Sequence, residues 1–296
     1  MSAGRRVVHV SGPIPGRVRS ALAETFSLAD TPEGADGVLT LITTTVDEAY
    51  LDRVGPQLRI VANYGVGVNN IDLEAAAARN VVVANTPDVL TDTTAELAIV
   101  LTLSLLRRVT EGDRFLRRRE AWEFSLEFML GESLRGKTFG IVGPGRIGRA
   151  TGKLAEGFGA RVQFAGRGDD LGELLRSSDV VSLHCALTPE THHLIDAASF
   201  GQMRNTAVLV NTARGPIVDE RALVEALKAG KIAGAALDVF EREPEVAEEL
   251  RTMENVVLTP HLGSATRETR EEMGMLAVSA LRSVLIEGRD PPNSVM

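Results

Sequence analysis

Lys137-Thr138-Phe139-Gly140-Ile141-Val142-Gly143-Pro144-Gly145-Arg146-Ile147-Gly148 runs from an apolar stretch through the spacing G-x-G-x-x-G into a helix-like segment. With 28 glycines in the chain, the spacing alone is weak; its place between a strand and a helix is what anion binding requires. Gly143 permits the tight turn, Gly145 lets the backbone approach a pyrophosphate, and Gly148 allows the helix to sit close on the strand. The helix that Arg146 and Ile147 open points unpaired N–H groups and its positive dipole end at the anion. The next strand, Arg161–Ala165, runs into Gly166-Arg167-Gly168. An acid at its end would accept both hydroxyls of an adenosine ribose. Gly166 cannot, and Arg167 can offer a bidentate cation to a 2′-phosphate. NADP is therefore expected over NAD, with NAD as the alternative. Asp169 and Asp170 are expected to start the next helix.

Outward from this turn, short apolar runs alternate with helix-like segments, the pattern of a parallel α/β fold. Arg6–Val10, Gly37–Ile42, Arg59–Ala62 and Val81–Ala84 read as strands on the N-terminal side, with a helix over Asp72–Arg79 capped by Asp72. On the C-terminal side the strands are Val180–His184, Ala207–Asn211, Gly234–Asp238 and Val256–Thr259. They are rich in Val, Leu and Ile without alternation, as strands covered on both faces tend to be. Helices are expected over Arg146–Phe158 and over Asp219–Ala229, where Gly230 is the stop. Ser264–Glu287 reads as a long final helix. Thr91–Glu120 reads as one helix of roughly 25 residues, about 40 Å at ~1.5 Å per residue, and its boundary suits a division into two α/β units. A helix that long and rich in Leu, Val and Ile suits a homodimer interface.

Composition excludes other classes. The chain has 296 residues, 44% hydrophobic, with 32 basic against 40 acidic side chains and a formal charge of −8. That argues against nucleic acid or an anionic membrane as the main partner. Cys185 is the sole cysteine, so an intramolecular disulfide and a thiolate metal cage are ruled out. His192 and His193 are adjacent, read as pointing different ways, and lack a third ligand nearby, so no metal is expected. The N-terminal apolar run is too short for a signal peptide and no stretch reaches ~18 apolar residues; a cytoplasmic protein is expected.

Three polar segments each follow a strand: Asn211-Thr212-Ala213-Arg214-Gly215, Asp238-Val239-Phe240-Glu241-Arg242-Glu243-Pro244 and Thr259-Pro260-His261-Leu262-Gly263-Ser264. In open α/β sheets ligands bind beyond the carboxyl ends of the strands. An arginine, a carboxylate and a histidine on such loops suit carboxylate anchoring with proton transfer.

With Tyr64-Gly65-Val66-Gly67-Val68-Asn69-Asn70-Ile71-Asp72, Thr91-Asp92-Thr93-Thr94-Ala95-Glu96 and Leu183-His184-Cys185-Ala186-Leu187-Thr188-Pro189-Glu190-Thr191, these segments make the chain resemble the D-isomer-specific 2-hydroxyacid dehydrogenases over essentially its whole length. The Thr91–Glu96 block and Met129-Leu130-Gly131 most resemble the glyoxylate/hydroxypyruvate reductase branch. The resemblance implies two Rossmann-like doubly wound parallel-sheet domains with the active-site cleft between them. Residues 1–90 and 266–296 would form the substrate domain, and 91–265 the dinucleotide-binding domain.

By the same resemblance, Arg214 would bind the substrate carboxylate and polarise its carbonyl, His261 would exchange the proton, and Glu243 would fix the tautomer of His261 and favour the imidazolium. The backbone of Val66 and Gly67 would also receive the carboxylate. Thr94, Thr212, Ala213, Asp238, Gly263 and Ser264 would line the nicotinamide half, and Ala186, Leu187 and Thr188 the adenine side. His184 reads as structural and Cys185 as an inert thiol. Family members usually carry a third strand after the Gly166 region, and here the helix segment follows almost at once, so the adenine-side wall is abbreviated. Glu243 disfavours a formate dehydrogenase, which carries Gln there, and Val66 disfavours a phosphite dehydrogenase, which carries Lys. The alternatives are a phosphoglycerate dehydrogenase-like enzyme, although the chain ends at Met296 without a regulatory domain, and a dinucleotide-sensing corepressor, although no partner-binding tail is present.

Overall fold

A strand buried on both faces needs helices on both sides of its sheet, and the chain meets that demand twice. The computed structural model describes residues 5–295 and divides the chain into two compact units, Met1–Leu90 with Thr266–Met296, and Thr91–Ala265. The first unit contains β1 (Val7–Val10), α1 (Gly16–Thr25), β2 (Ser27–Ala29), β3 (Gly37–Leu41), α2 (Glu48–Val54), β4 (Ile60–Tyr64), α3 (Leu73–Ala78) and β5 (Val82–Ala84). Its five strands are all parallel in the order β2-β1-β3-β4-β5. Every residue of β4 is buried.

The second unit contains α4 (Thr91–Leu106), α5 (Val109–Arg117), β6 (Thr138–Val142), α6 (Arg146–Gly157), β7 (Arg161–Ala165), α7 (Leu171–Ser177), β8 (Val180–Leu183), α8 (Ala197–Gln202), β9 (Val208–Asn211), α9 (Glu220–Lys228), β10 (Gly234–Leu237), α10 (Glu248–Thr252) and β11 (Val256–Leu258). Its six parallel strands run β11-β10-β9-β8-β6-β7. The order reverses between β6 and β8, the switch point at which such sheets bind ligands. Alternate residues feed two cores. Val181, Leu183 and Leu209 point to one face and Val180, Val208 and Val210 to the other, which is why neither strand shows polar alternation in the sequence. The chain then returns to the first unit for α11 (Arg267–Leu285).

Aspartates start five of these helices. Asp47, Asp72, Asp170, Asp196 and Asp219 each accept a hydrogen bond from the backbone N–H three residues on. Each bond satisfies a donor that the helix leaves open and is worth about 1 kcal/mol. Asp170 thus starts α7 as expected. Asp169 does not; its Oδ2 turns back to accept from the Gly166 N–H at 2.7 Å.

The single helix expected over 91–120 is broken. α4 stops at Leu106, Arg108 takes a left-handed φ of 54°, and α5 starts at Val109. The Leu106 carbonyl accepts from the Glu132 N–H at 2.8 Å, and the Arg108 guanidinium meets Glu111 through bonds of 2.7 and 2.6 Å. A distant segment therefore takes the end of α4, and a local ion pair holds the turn. Most strand ends agree with the sequence expectation to within a residue or two. α1, β2 and α2 were outside it, since a three-residue strand and short polar helices leave little periodicity. Among the described residues no helix is long and apolar enough to cross a membrane.

Candidate active site

The glycine turn follows β6 in the second unit. Gly143 has a φ of 95°, and a Cβ there would lie 2.5 Å from the Cys185 nitrogen. At Gly148 a Cβ would lie 2.3 Å from the Gly143 oxygen. Both close approaches exclude a side chain. A Cβ at Gly145 would meet nothing within 4 Å, so this position, at the N-cap of α6, is open on the side where a ligand backbone must approach. Arg146 and Ile147 form the first turn of α6. This arrangement fits a dinucleotide: a tight glycine turn, an open cradle and the N-terminus of a twelve-residue helix.

Beyond β8, His184 Nε2 meets Ser182 Oγ at 2.8 Å while its Nδ1 is buried without a partner. Desolvation pushes its pKa down to about 4. Burial likewise raises the Cys185 thiol. Both properties fit structural roles. Ala186, Leu187 and Thr188 continue this loop, where Thr191 Oγ1 ties it together by donating to the Ala186 carbonyl and accepting from the Thr188 N–H, both at 2.7 Å.

β9 delivers Asn211–Gly215. The Asn211 side chain closes the turn, accepting from the Ala213 N–H at 3.0 Å and donating to the Arg214 carbonyl at 2.9 Å. A Cβ at Gly215 would overlap the Phe240 oxygen at 1.8 Å, so only glycine lets this loop lie against the one after β10. Arg214 is half-buried. Burial lowers its pKa and the Glu243 charge opposes that shift. Thr212 Oγ1 is buried with no partner in the protein, a polar atom free for the group this face would hold.

Asp238, fully buried at the end of β10, organises the third loop. Its carboxylate accepts from Thr259 Oγ1 at 2.6 Å and from the N–H groups of Leu262 and Gly263 at 2.6 and 2.8 Å. Its carbonyl accepts from the His261 N–H at 2.8 Å. Burial raises the Asp238 pKa, opposed by those donors and by His261. Thr94 Oγ1, on α4, donates to the Gly263 carbonyl at 3.1 Å, with Ser264 next in the chain. His261 takes a φ of 54°, a left-handed conformation in which His is enriched among non-glycine residues.

His261 Nδ1 and Glu243 Oε2 are 2.8 Å apart, and Glu243 Oε1 accepts from the Phe240 N–H at 3.1 Å. Burial would raise the Glu243 pKa, but the hydrogen bond and charge of His261, with the Phe240 N–H and Arg214, outweigh it and hold the carboxyl below its ordinary value. The carboxylate thus occupies Nδ1, and Nε2 is the ring nitrogen that Glu243 does not hold.

Val66 and Gly67 lie in the first unit, in the turn after β4. Their carbonyls accept from the side-chain amides of Asn85 and Asn63, each at 2.8 Å, which fixes the turn. Gly166 follows β7, where a Cβ would lie 3.2 Å from the Pro144 ring. Arg167 is exposed. It helps, behind the Thr188 hydroxyl, to hold the Glu190 carboxyl low. The expectation that His192 and His193 point apart fails: their rings lie 4.1 Å centroid to centroid, because His193 has a left-handed φ of 52°. Sequence reasoning did not find the role of Thr259 in seating Asp238; its signal was a hydroxyl at the strand end, just before Pro260-His261.

Residues 99–263 match the family model described as the D-isomer specific 2-hydroxyacid dehydrogenase, NAD binding domain. The glyoxylate reductase of Thermococcus litoralis is 47% identical over 279 residues, covering 88% of this chain and 83% of that one. Among solved structures, the NADPH-dependent glyoxylate/hydroxypyruvate reductase of Sinorhizobium meliloti, in complex with NADP and malonate, matches with a TM-score of 0.87 at 35% identity, covering 99% of this chain and 97% of the other. The D-lactate dehydrogenase of Aquifex aeolicus, complexed with NAD and lactic acid, matches with a TM-score of 0.85 at 26% identity, covering 98% and 99%.

The Glu243 carboxyl is lower in the folded protein than in the unfolded chain, so its stabilising contribution is present above the ordinary glutamate value and lost as the pH falls through the lowered one. The melting-temperature gap between the wild type and Glu243→Gln should therefore narrow as the pH is taken from about 5 down through ~4. A flat gap over that range would remove the interaction from the folded state.

Proposed function

Because the chain belongs to the D-isomer-specific 2-hydroxyacid dehydrogenase family, and is thus a nicotinamide-dependent 2-hydroxyacid oxidoreductase, we propose that it reduces glyoxylate, hydroxypyruvate or a closely related 2-keto acid, with NADPH preferred. The observation that carries this reading is the His261–Glu243 contact at 2.8 Å, on a loop fixed by buried Asp238. Residues 91–265 serve as the dinucleotide-binding domain, and residues 1–90 with 266–296 as the substrate domain.

The dinucleotide, when bound, supplies the hydride. Gly143, Gly145, Arg146, Ile147 and Gly148 would hold its pyrophosphate, Gly166, Arg167 and Ala186–Thr188 its adenosine half, and Thr94, Thr212, Ala213, Asp238, Gly263 and Ser264 its nicotinamide half. The Arg214 guanidinium, made harder to keep charged by burial but held so by Glu243, pairs with the substrate carboxylate and faces the charge that develops on the carbonyl oxygen. His261, with Nδ1 fixed by Glu243, gives the Nε2 proton to the nascent alkoxide during reduction and takes it back in oxidation. Nothing observed favours a phosphoglycerate dehydrogenase-like enzyme or a corepressor.

The apolar segment after α5 supports a homodimer. Trp122 and Phe128 stack at 5.8 Å and 15°, and Phe115 meets Phe128 edge-on at 5.5 Å. Phe124 and Leu126, in the same segment of chain, are 82% and 86% exposed. A second copy is the occupant proposed for this surface, now built from α4, α5 and the segment that follows.

Three outcomes test the reading. Glyoxylate should cause loss of NADPH absorbance, and Arg214→Ala should lower kcat/KM on the order of 100-fold or more, as loss of other oxyanion donors does; a variant within a fewfold of wild type would remove Arg214 from the site. NADPH should be favoured over NADH by roughly 10- to 150-fold in kcat/KM, since a charge-assisted bond is worth about 1.5–3 kcal/mol. Arg167→Ala should erase most of that margin, and a wild type that prefers NADH would overturn it. Sedimentation should give a dimer at micromolar concentration, as obligate interfaces of over ~2,000 Å² do; the mass of a single chain would reject it.

A further inference from the structure

His193 lies outside the group of residues given a chemical role above, yet it touches two of the loops that carry them. Its backbone N–H donates to the Pro216 carbonyl at 2.8 Å, two residues beyond Arg214. Its Nε2 lies 3.0 Å from Glu241 Oε1, two residues before Glu243. Glu241 is in turn locked to the start of α9. The Glu220 N–H donates to Glu241 Oε2 and the Glu241 N–H donates to Glu220 Oε2, both at 3.1 Å. Glu220 Oε1 also accepts from the Ala247 N–H at 3.3 Å, which closes the far end of the same loop.

We infer that His193 and Glu241 form a clamp that positions Glu243 against His261. The loop from Phe240 to Ala247 leaves the sheet and has to return with Glu243 at hydrogen-bond distance from a histidine on the loop after β11. The Phe240 N–H steadies the Glu243 carboxylate from within that loop, and from outside it Glu220 and His193 hold the neighbouring Glu241. Glu220 and Glu241 are tied by reciprocal bonds in which each backbone N–H donates to the other's carboxylate. His193 is the side chain whose nitrogen meets Glu241 there, with the tilted ring of His192 4.1 Å away, centroid to centroid. The left-handed backbone at His193 turns the ring toward Glu241 while the N–H remains on Pro216. His193 is thus a positioning residue, which acts on the proton relay only through Glu243. The inference rests on the reading of Glu243 as the partner of His261.

The test compares His193→Ala, His193→Gln, Glu243→Gln and the double variant His193→Ala/Glu243→Gln in the full-length protein. The basic limb of the reductive pH–rate profile is measured with NADPH and glyoxylate. Amide hydrogen exchange is followed over residues 240–243. Glu243→Gln, which removes the carboxylate 2.8 Å from His261 Nδ1, moves the limb to lower pH. His193→Ala moves it the same way, lowers kcat/KM on the order of tenfold, as a displacement of well under an ångström would, and quickens exchange at Phe240–Glu243. It adds no further shift in the Glu243→Gln background, and His193→Gln, which keeps a donor for Glu241, stays near wild type. If His193→Ala does not fold, Glu241→Ala is judged by the same readouts. A limb left in its wild-type place by His193→Ala, or shifted equally with and without Glu243, overturns the clamp, as does unchanged exchange. If Glu243→Gln itself leaves the limb unmoved, the relay reading falls, and exchange alone then decides whether the clamp exists.

Discussion

A carboxylate with no exposure to water governs the second unit. Asp238 gives up its hydration at the end of β10, a transfer that is costly unless donors replace the lost water. The replacements are one hydroxyl and two backbone N–H groups, all from Thr259–Gly263. The segment that satisfies the charge is therefore the segment that carries His261. Short bonds to a charged acceptor are the strong ones, so the loop has little freedom to place His261 elsewhere. The left-handed φ of His261 follows from the same constraint, since its own N–H must reach back to the Asp238 carbonyl. From His261 the geometry passes to Glu243, from Glu243 to the charge on Arg214, and through Gly215 to the close contact between two loops that no side chain would permit.

Much of this was legible in the sequence, for a physical reason. The residue types at the glycine turn are dictated by the φ of Gly143 and the contact at Gly148, so the letters report the conformation directly. That the loops after β9, β10 and β11 meet was legible because each leaves the carboxyl end of one of three neighbouring parallel strands. The two-sided cores of the sheet were legible as apolar runs without alternation.

What sequence did not reveal depends on partners far along the chain. α4 ends at Leu106 because Glu132 takes its last carbonyl, and no periodicity within 91–120 records that contact. His192 and His193 read as divergent neighbours because an ordinary backbone would make them so; the left-handed residue at 193 brings the rings together. Asp169 counts as a helix starter by position, but Asp170 already fills that place, and its neighbour is released to close the turn at Gly166.

The sheet order β11-β10-β9-β8-β6-β7 leaves β7 as an outer strand, with one row of peptide groups facing no neighbour in the sheet. Such a row is a template for pairing with a foreign strand, and proteins blunt it by shortness and by charge. β7 is five residues long. It begins on exposed Arg161 and gives way to Gly166-Arg167-Gly168, where glycine ends the pleat. Its most exposed apolar side chain, Phe164, lies beneath the Arg149 guanidinium at 6.0 Å. The border that the sheet presents at β7 is thus short and carries exposed Arg161 and Arg167 at its two ends, and charge so placed disfavours pairing with strands of other molecules.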